Sequence, residues 1–108
     1  MKESFGLYIR ELRTNHNLTL TQLAAKLELD SANLSKIENG KREFDEKRLE
    51  LLSKIFDLDI ELLKLEFYSD LIAKQVIYSN CNSEILQLAE KKVDYIKQKS
   101  AKQSEFKF

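Results

Sequence analysis

No proline interrupts this chain, and only two glycines, Gly6 and Gly40, loosen it. These residue types are the usual breakers of regular structure, and their scarcity beside abundant Leu, Glu, Lys, Ala and Ile favours helices joined by short turns. The expected fold class is all-α. A hydrophobic fraction of 43% in 108 residues supplies one compact core and not two independent ones. The expectation is therefore one folding unit with an appendage.

Apolar periodicity divides the chain into six helices. Phe5, Tyr8, Ile9 and Leu12 follow a possible Ser4 cap and mark a first helix over 5–15, broken by Asn15, His16 and Asn17. Thr19 and Gln22 form a capping-box pattern ahead of Leu20, Leu23, Ala24 and Leu27, predicting a short second helix that ends near Glu28. Asp30 can cap a third helix over 31–39 carrying Leu34 and Ile37, with Gly40 placed for a left-handed C-terminal residue. Lys41 to Phe44 reads as a loop, and Asp45 caps a fourth helix bearing Leu49, Leu52, Ile55 and Phe56, closed by Asp57 to Asp59. From Ile60 to Ser79 there is no breaker. Its apolar residues fall on two stripes, Ile60, Phe67, Leu71 and Tyr78 on one and Leu62, Leu65, Ile72 and Val76 on the other, so one stripe needs a partner beyond the core. After the polar turn Asn80 to Ser83, Ile85, Leu88, Ala89, Val93 and Ile96 make a one-sided sixth helix. The tail from Ser100 is polar and expected to fray, and gives Phe106 and Phe108 no evident role. These divisions suggest a domain over 1–59, a helical dimerisation extension over 60–99 and a flexible tail over 100–108.

The residue inventory argues against several kinds of chemistry. The sole cysteine, Cys81, can close no intramolecular disulfide, and the start MKESFGLYIR lacks the design of a signal peptide, which points to a reducing cytoplasm. No apolar run is long enough to span a bilayer, so no membrane association is expected. His16 sits at a helix end where a cation suits the dipole, and one His with one Cys makes neither a zinc site nor a nucleophile–base pair. The carboxylates are scattered among lysines, as on solvated helix surfaces, and there is no Gly-rich phosphate loop. No catalytic residue, metal, cofactor or small-molecule ligand is expected. Eighteen basic residues balance eighteen acidic ones, so any attraction to nucleic acid must come from local placement of charge. Arg10 and Lys26 read as ordinary surface charges.

The segment TLTQLAAKLELDSANLSKIENG, Thr19 to Gly40, is the informative one. Two short helices around a three- to four-residue turn let the first brace against a DNA backbone while the second lies in the major groove. Ala24 supplies the small residue that a steep crossing needs. Leu23, Leu27, Leu29, Leu34 and Ile37 face inward, which leaves Ser31, Ala32, Asn33, Ser35 and Lys36 outward as candidates for base contact. Thr19, Thr21 and Gln22, at the start of the bracing helix, are candidates for phosphate contact.

These residues resemble the Cro and lambda-repressor-like, or Xre, helix-turn-helix family of transcriptional regulators. The resemblance runs from about Leu7 to Asp59. It rests on Ile9-x-x-Leu12-Arg13, Leu18-Thr19, Gln22-Leu23-Ala24, Leu27-x-Leu29, Leu34-Ser35-Lys36-Ile37-Glu38 and Gly40-Lys41-Arg42 together. It implies that Ser31, Ala32 and Lys36 face base edges, that Asn39, Lys41 and Arg42 lie near phosphates, and that Arg13 pairs with Glu38 to hold the recognition helix. Three positions depart from the family pattern. Leu20 replaces a phosphate-contacting Gln, Glu28 occupies a turn position usually filled by Gly and must accept a positive φ, and Glu43–Phe44 stand where an Asn-Pro-like pair is common. Residues 60–99 resemble the added helical hairpin of regulators sometimes found beside restriction-modification genes. The implied protein is a cytoplasmic, nucleoid-associated bacterial regulator that binds double-stranded DNA at a palindromic operator as a homodimer. The alternative is an antitoxin-like interaction module anchored to DNA, in which the hairpin grips a foreign protein.

Overall fold

The computed structural model describes residues 3–103, which form six α-helices and no strand. They are α1 (Phe5–Asn15), α2 (Leu20–Lys26), α3 (Ser31–Glu38), α4 (Leu49–Phe56), α5 (Ile60–Ser79) and α6 (Glu84–Gln103), with a 3-10 turn at Glu46–Arg48 ahead of α4. None of these helices is long and apolar enough to cross a membrane.

Local chemistry sets the boundaries. Ser4 Oγ accepts from the Leu7 N–H to open α1, and Thr19 and Gln22 form the reciprocal capping box of α2. The Asp30 carboxylate accepts from the Asn33 N–H at the start of α3. Asp45 caps the 3-10 turn, so α4 begins only at Leu49. The ends of α1 to α4 share one device, a left-handed residue followed by a bond that reaches back over the last turn. Asn17, Glu28, Gly40 and Asp57 have φ of 56°, 60°, 76° and 52°, and Leu18, Leu29, Lys41 and Leu58 donate to the carbonyls of Arg13, Ala24, Lys36 and Ser53. Glu28 thus takes the positive φ its position demands, at a cost of about 1 kcal/mol. This closure stops α2 at Lys26, slightly before the expected end near Glu28.

The first compact unit runs from the N-terminal residues through Leu71. Its core comprises Phe5, Ile9, Leu23, Ala24, Leu27, Leu34, Ile37, Phe44, Leu49, Leu52, Phe56, Leu63 and Phe67. The expected inward residues of α2 and α3 are all there except Leu29, which is half-buried. Two members come from outside the sequence-based core. Phe44, read as a loop residue, packs against Phe5 in a tilted contact and against Phe67 edge-on, at ring-centroid distances of 5.5 and 6.5 Å, and Phe5 meets Phe67 edge-on at 5.2 Å. Leu63, which lies on neither apolar stripe of α5, is fully buried. The first part of α5 therefore packs into the core of this unit, which extends through Leu71. Gly6 explains the close approach of α1 to α3, since a Cβ there would run into the Ile37 carbonyl oxygen.

The second unit begins at Ile72. None of its described apolar side chains is buried. Tyr78, on the same stripe as the buried Phe67, is 80% exposed. α6 continues through Gln103, past the expected start of the tail at Ser100, because no breaker intervenes and Ser100 Oγ donates back to the Ile96 carbonyl. Phe106 and Phe108 lie outside the described residues.

Candidate nucleic-acid interface

The helix pair α2–α3 presents a polar surface whose residues are fixed by what lies beneath it. Leu34, Ile37 and Glu38 are buried, which turns Ala32, Lys36 and Asn39 to solvent on the opposite face of α3. Ser31 is exposed at the start of the helix, while Asn33 and Ser35 are half-buried on its flanks. A short cationic side chain run continues past Gly40, where Lys41 and Arg42 are both exposed. Lys36 and Lys41 make no ion pair among the described residues. Within a chain of zero net charge, this leaves local positive potential on the exposed side of α3.

The helix is held from behind by charge. Arg13 Nε and Nη2 donate to the two oxygens of Glu38 at 2.7 and 3.0 Å, and its Nη1 donates to the Leu18 carbonyl at 3.0 Å. Hydrogen bonding to Glu38 raises the Arg13 pKa above its ordinary value, outweighing desolvation. The Glu38 side chain is only 2% exposed, so the bidentate fork supplies what its buried carboxylate requires. Arg10, read from sequence as a plain surface charge, places its Nε 3.8 Å from Glu38 and adds a second cation to the same carboxylate.

The other polar positions are partly committed to the fold. Thr19 and Gln22 spend one group each on the capping box, and Thr21 beside them is exposed. Asn39 Nδ2 donates to the Ser35 carbonyl at 2.9 Å. The Asn33 amide bridges Asp30 and Arg42. Sequence reasoning missed Arg48, which fastens the turn between α2 and α3. Its Nε donates to the Leu27 carbonyl at 2.9 Å, its Nη2 to the Glu28 carbonyl at 3.3 Å, and its Nη1 to Asp45 at 2.9 Å. The guanidinium thereby satisfies carbonyls left unpaired by the end of α2. Asp45 three residues before Arg48 was the only local signal for it.

Residues 9–63 match the model of a family described as Helix-turn-helix. Two Bacillus subtilis (strain 168) proteins share a shorter segment. The uncharacterized HTH-type transcriptional regulator RghRB is 55% identical over 38 residues, 35% of this chain and 27% of its own. The HTH-type transcriptional repressor RghR is 50% identical over 40 residues, 37% of this chain and 30% of its own. The shared segment thus spans less than a third of either relative. The crystal structure of the clp gene regulator ClgR from Corynebacterium glutamicum superposes with a TM-score of 0.52 at 20% identity, covering 91% of this chain and 90% of that one, a likeness of fold.

Proposed function

The chain belongs to the helix-turn-helix family, of the Cro and lambda-repressor (Xre) type, and from that premise we propose that it is a sequence-specific DNA-binding transcriptional regulator. The observation that carries this reading is the exposed face of α3, where Ala32, Lys36 and Asn39 stand opposite a buried Leu34, Ile37 and Glu38. A helix so backed can enter a major groove without disturbing its core. In this reading Ser31, Ala32, Ser35 and Lys36 meet base edges, while Thr19, Thr21, Gln22, Asn39, Lys41 and Arg42 meet the phosphate backbone. The names of RghRB and RghR, a transcriptional regulator and a transcriptional repressor, support the same activity.

The functional form we propose is a homodimer on a palindromic operator, including one in its own promoter. Support comes from the second unit, where Ile77, Tyr78, Leu88 and Tyr95 are 75%, 80%, 54% and 61% exposed. Helices with that much uncovered apolar surface gain from an isologous contact with a second copy.

The test is binding to duplexes selected from random DNA, to their single-base variants and to unrelated duplex, at several salt concentrations. Lys36→Ala should relax preference at one base pair by about 1–3 kcal/mol, whereas Lys41→Ala should weaken all duplexes alike and lower the salt slope by roughly one. Reversed behaviour would exchange the two assigned roles, and no selection of any sequence would overturn the reading. Light scattering checks the dimer, which a monomer at micromolar concentration with and without the selected duplex would exclude.

A further inference from the structure

An asparagine in the first turn of a recognition helix is a residue type that pairs bidentately with adenine, and Asn33 stands in that turn. Its amide, however, is already engaged at both ends. Asn33 Nδ2 donates to Asp30 Oδ2 at 3.0 Å, and Asn33 Oδ1 accepts from Arg42 Nη1 at 2.9 Å. The two neighbours fix which end of the amide is which, because a carboxylate only accepts and a guanidinium only donates. Asp30 Oδ1 also accepts from the Asn33 backbone N–H at 2.7 Å, so one carboxylate grips both the helix start and the side chain.

Helix geometry agrees with this engagement. At about 100° per residue, Asn33 lies about 40° from the buried Ile37 and about 60° from Lys36, on a flank of α3 and not at the centre of its exposed face. Reading adenine requires the oxygen and the NH2 of the amide on one base edge. Here they point to Asp30 and Arg42.

We propose that Asn33 is a positioning residue, not a base reader: with Asp30 it holds Arg42 so that the guanidinium meets a DNA phosphate beside the recognition helix. The inference rests on the DNA-binding reading above. Arg42 commits one of five N–H donors to Asn33, and the four that remain suffice for a bidentate fork on a phosphate. Arg42 is exposed in the segment after Gly40, where a long side chain without a tether must lose its rotamer freedom on binding. Holding it beforehand is worth about two- to tenfold in affinity.

The experiment uses the full chain as wild type, Asn33→Ala, Arg42→Ala and the double variant. Binding is measured to a duplex selected by the wild type from random DNA, to its single-base variants and to a random-sequence duplex, over several salt concentrations, with thermal unfolding alongside. Asp30 still caps α3 in Asn33→Ala, so the fold should hold. Asn33→Ser repeats the measurement with a side chain too short to bridge Asp30 and Arg42. Asn33→Ala should weaken every duplex by about two- to tenfold and leave base preference unchanged. Arg42→Ala should weaken them further and lower the salt slope by about 0.9. The double variant should bind like Arg42→Ala, since Asn33 acts only through Arg42. A changed preference at one base pair in Asn33→Ala, or losses that add in the double variant, would overturn the assignment. Absence of wild-type binding to any duplex would remove the DNA-binding reading itself, and this inference with it.

Discussion

The two units of this chain are built from similar helices and differ in what those helices cover. The first closes a core of apolar side chains drawn from every helix between α1 and the first part of α5. The second carries Leu86, Leu88, Val93 and Tyr95 on α6, all of them 46–61% exposed. Helix formation is thus one matter and burial another. A periodic apolar stripe specifies a helix with a face, and only a partner turns that face into stability.

The largest effect should come from setting one leucine of each unit against the other. Leu52 is fully buried, and Leu52→Ala should cost about 2–5 kcal/mol in denaturant unfolding. Leu88→Ala, at an exposed site in a dilute sample, should stay within about 0.5 kcal/mol. At high protein concentration Leu88→Ala should instead reduce self-association, seen as a smaller mass by light scattering. Equal losses for both variants at every concentration would mean that the second unit has a core of its own, and the contrast would fail.

Arg13→Ala probes the polar side of the first unit's packing and should cost about 3 kcal/mol, because it strands a buried carboxylate. Arg10, at 3.8 Å and half exposed, replaces only part of the fork. Combining it with Glu38→Gln should recover much of the loss, since the uncompensated charge is then gone. Additive losses in the double variant would show that Arg13 and Glu38 act apart.

Gly6→Ala should follow at about 1–3 kcal/mol, the range for overpacking. The usual gain of alanine over glycine in a helix, about 1 kcal/mol, points the other way. Thermal unfolding therefore decides which wins: a stabilised Gly6→Ala would show that α1 and α3 can separate without penalty.

Gly6 also shows where the sequence stopped being informative. Caps and turns were legible because their chemistry is confined to three or four residues: Ser4, Thr19 with Gln22, Asp30 and Asp45 each bond a backbone group within that reach. The interior stripes of α2 and α3 were legible for the same reason. What escaped depends on residues far apart in the chain. Gly6 is explained by the carbonyl of Ile37, Phe44 by Phe5 and Phe67, the main contacts of Arg48 by the end of α2, and the engagement of the Asn33 oxygen by Arg42. In the candidate interface the residue types were readable in advance, while their prior commitments to one another were not. Leu63 differs, since periodicity marked α5 as two-sided without saying which angle the core would take.

The smallest effect concerns how α5 is tied to the first unit on its wet side. Tyr68 Oη donates to Glu46 Oε2 at 2.9 Å, and this bond to a carboxylate raises the Tyr68 pKa above its ordinary value of 10. Protonation is therefore favoured in the folded state relative to the unfolded one. The contribution is fully present below pH 10 and is lost as pH rises through the higher folded value, where a phenolate would face Glu46. Exposure of the pair keeps the contribution small. Titration of tyrosine absorbance, with Tyr68→Phe to assign the signal, should show Tyr68 ionising later than an ordinary phenol, and Glu46→Gln should bring its midpoint down. A midpoint unmoved by Glu46→Gln would mean that the bond does not form in solution, leaving this stretch of α5 held by its apolar side chains, Leu63 and Phe67 foremost.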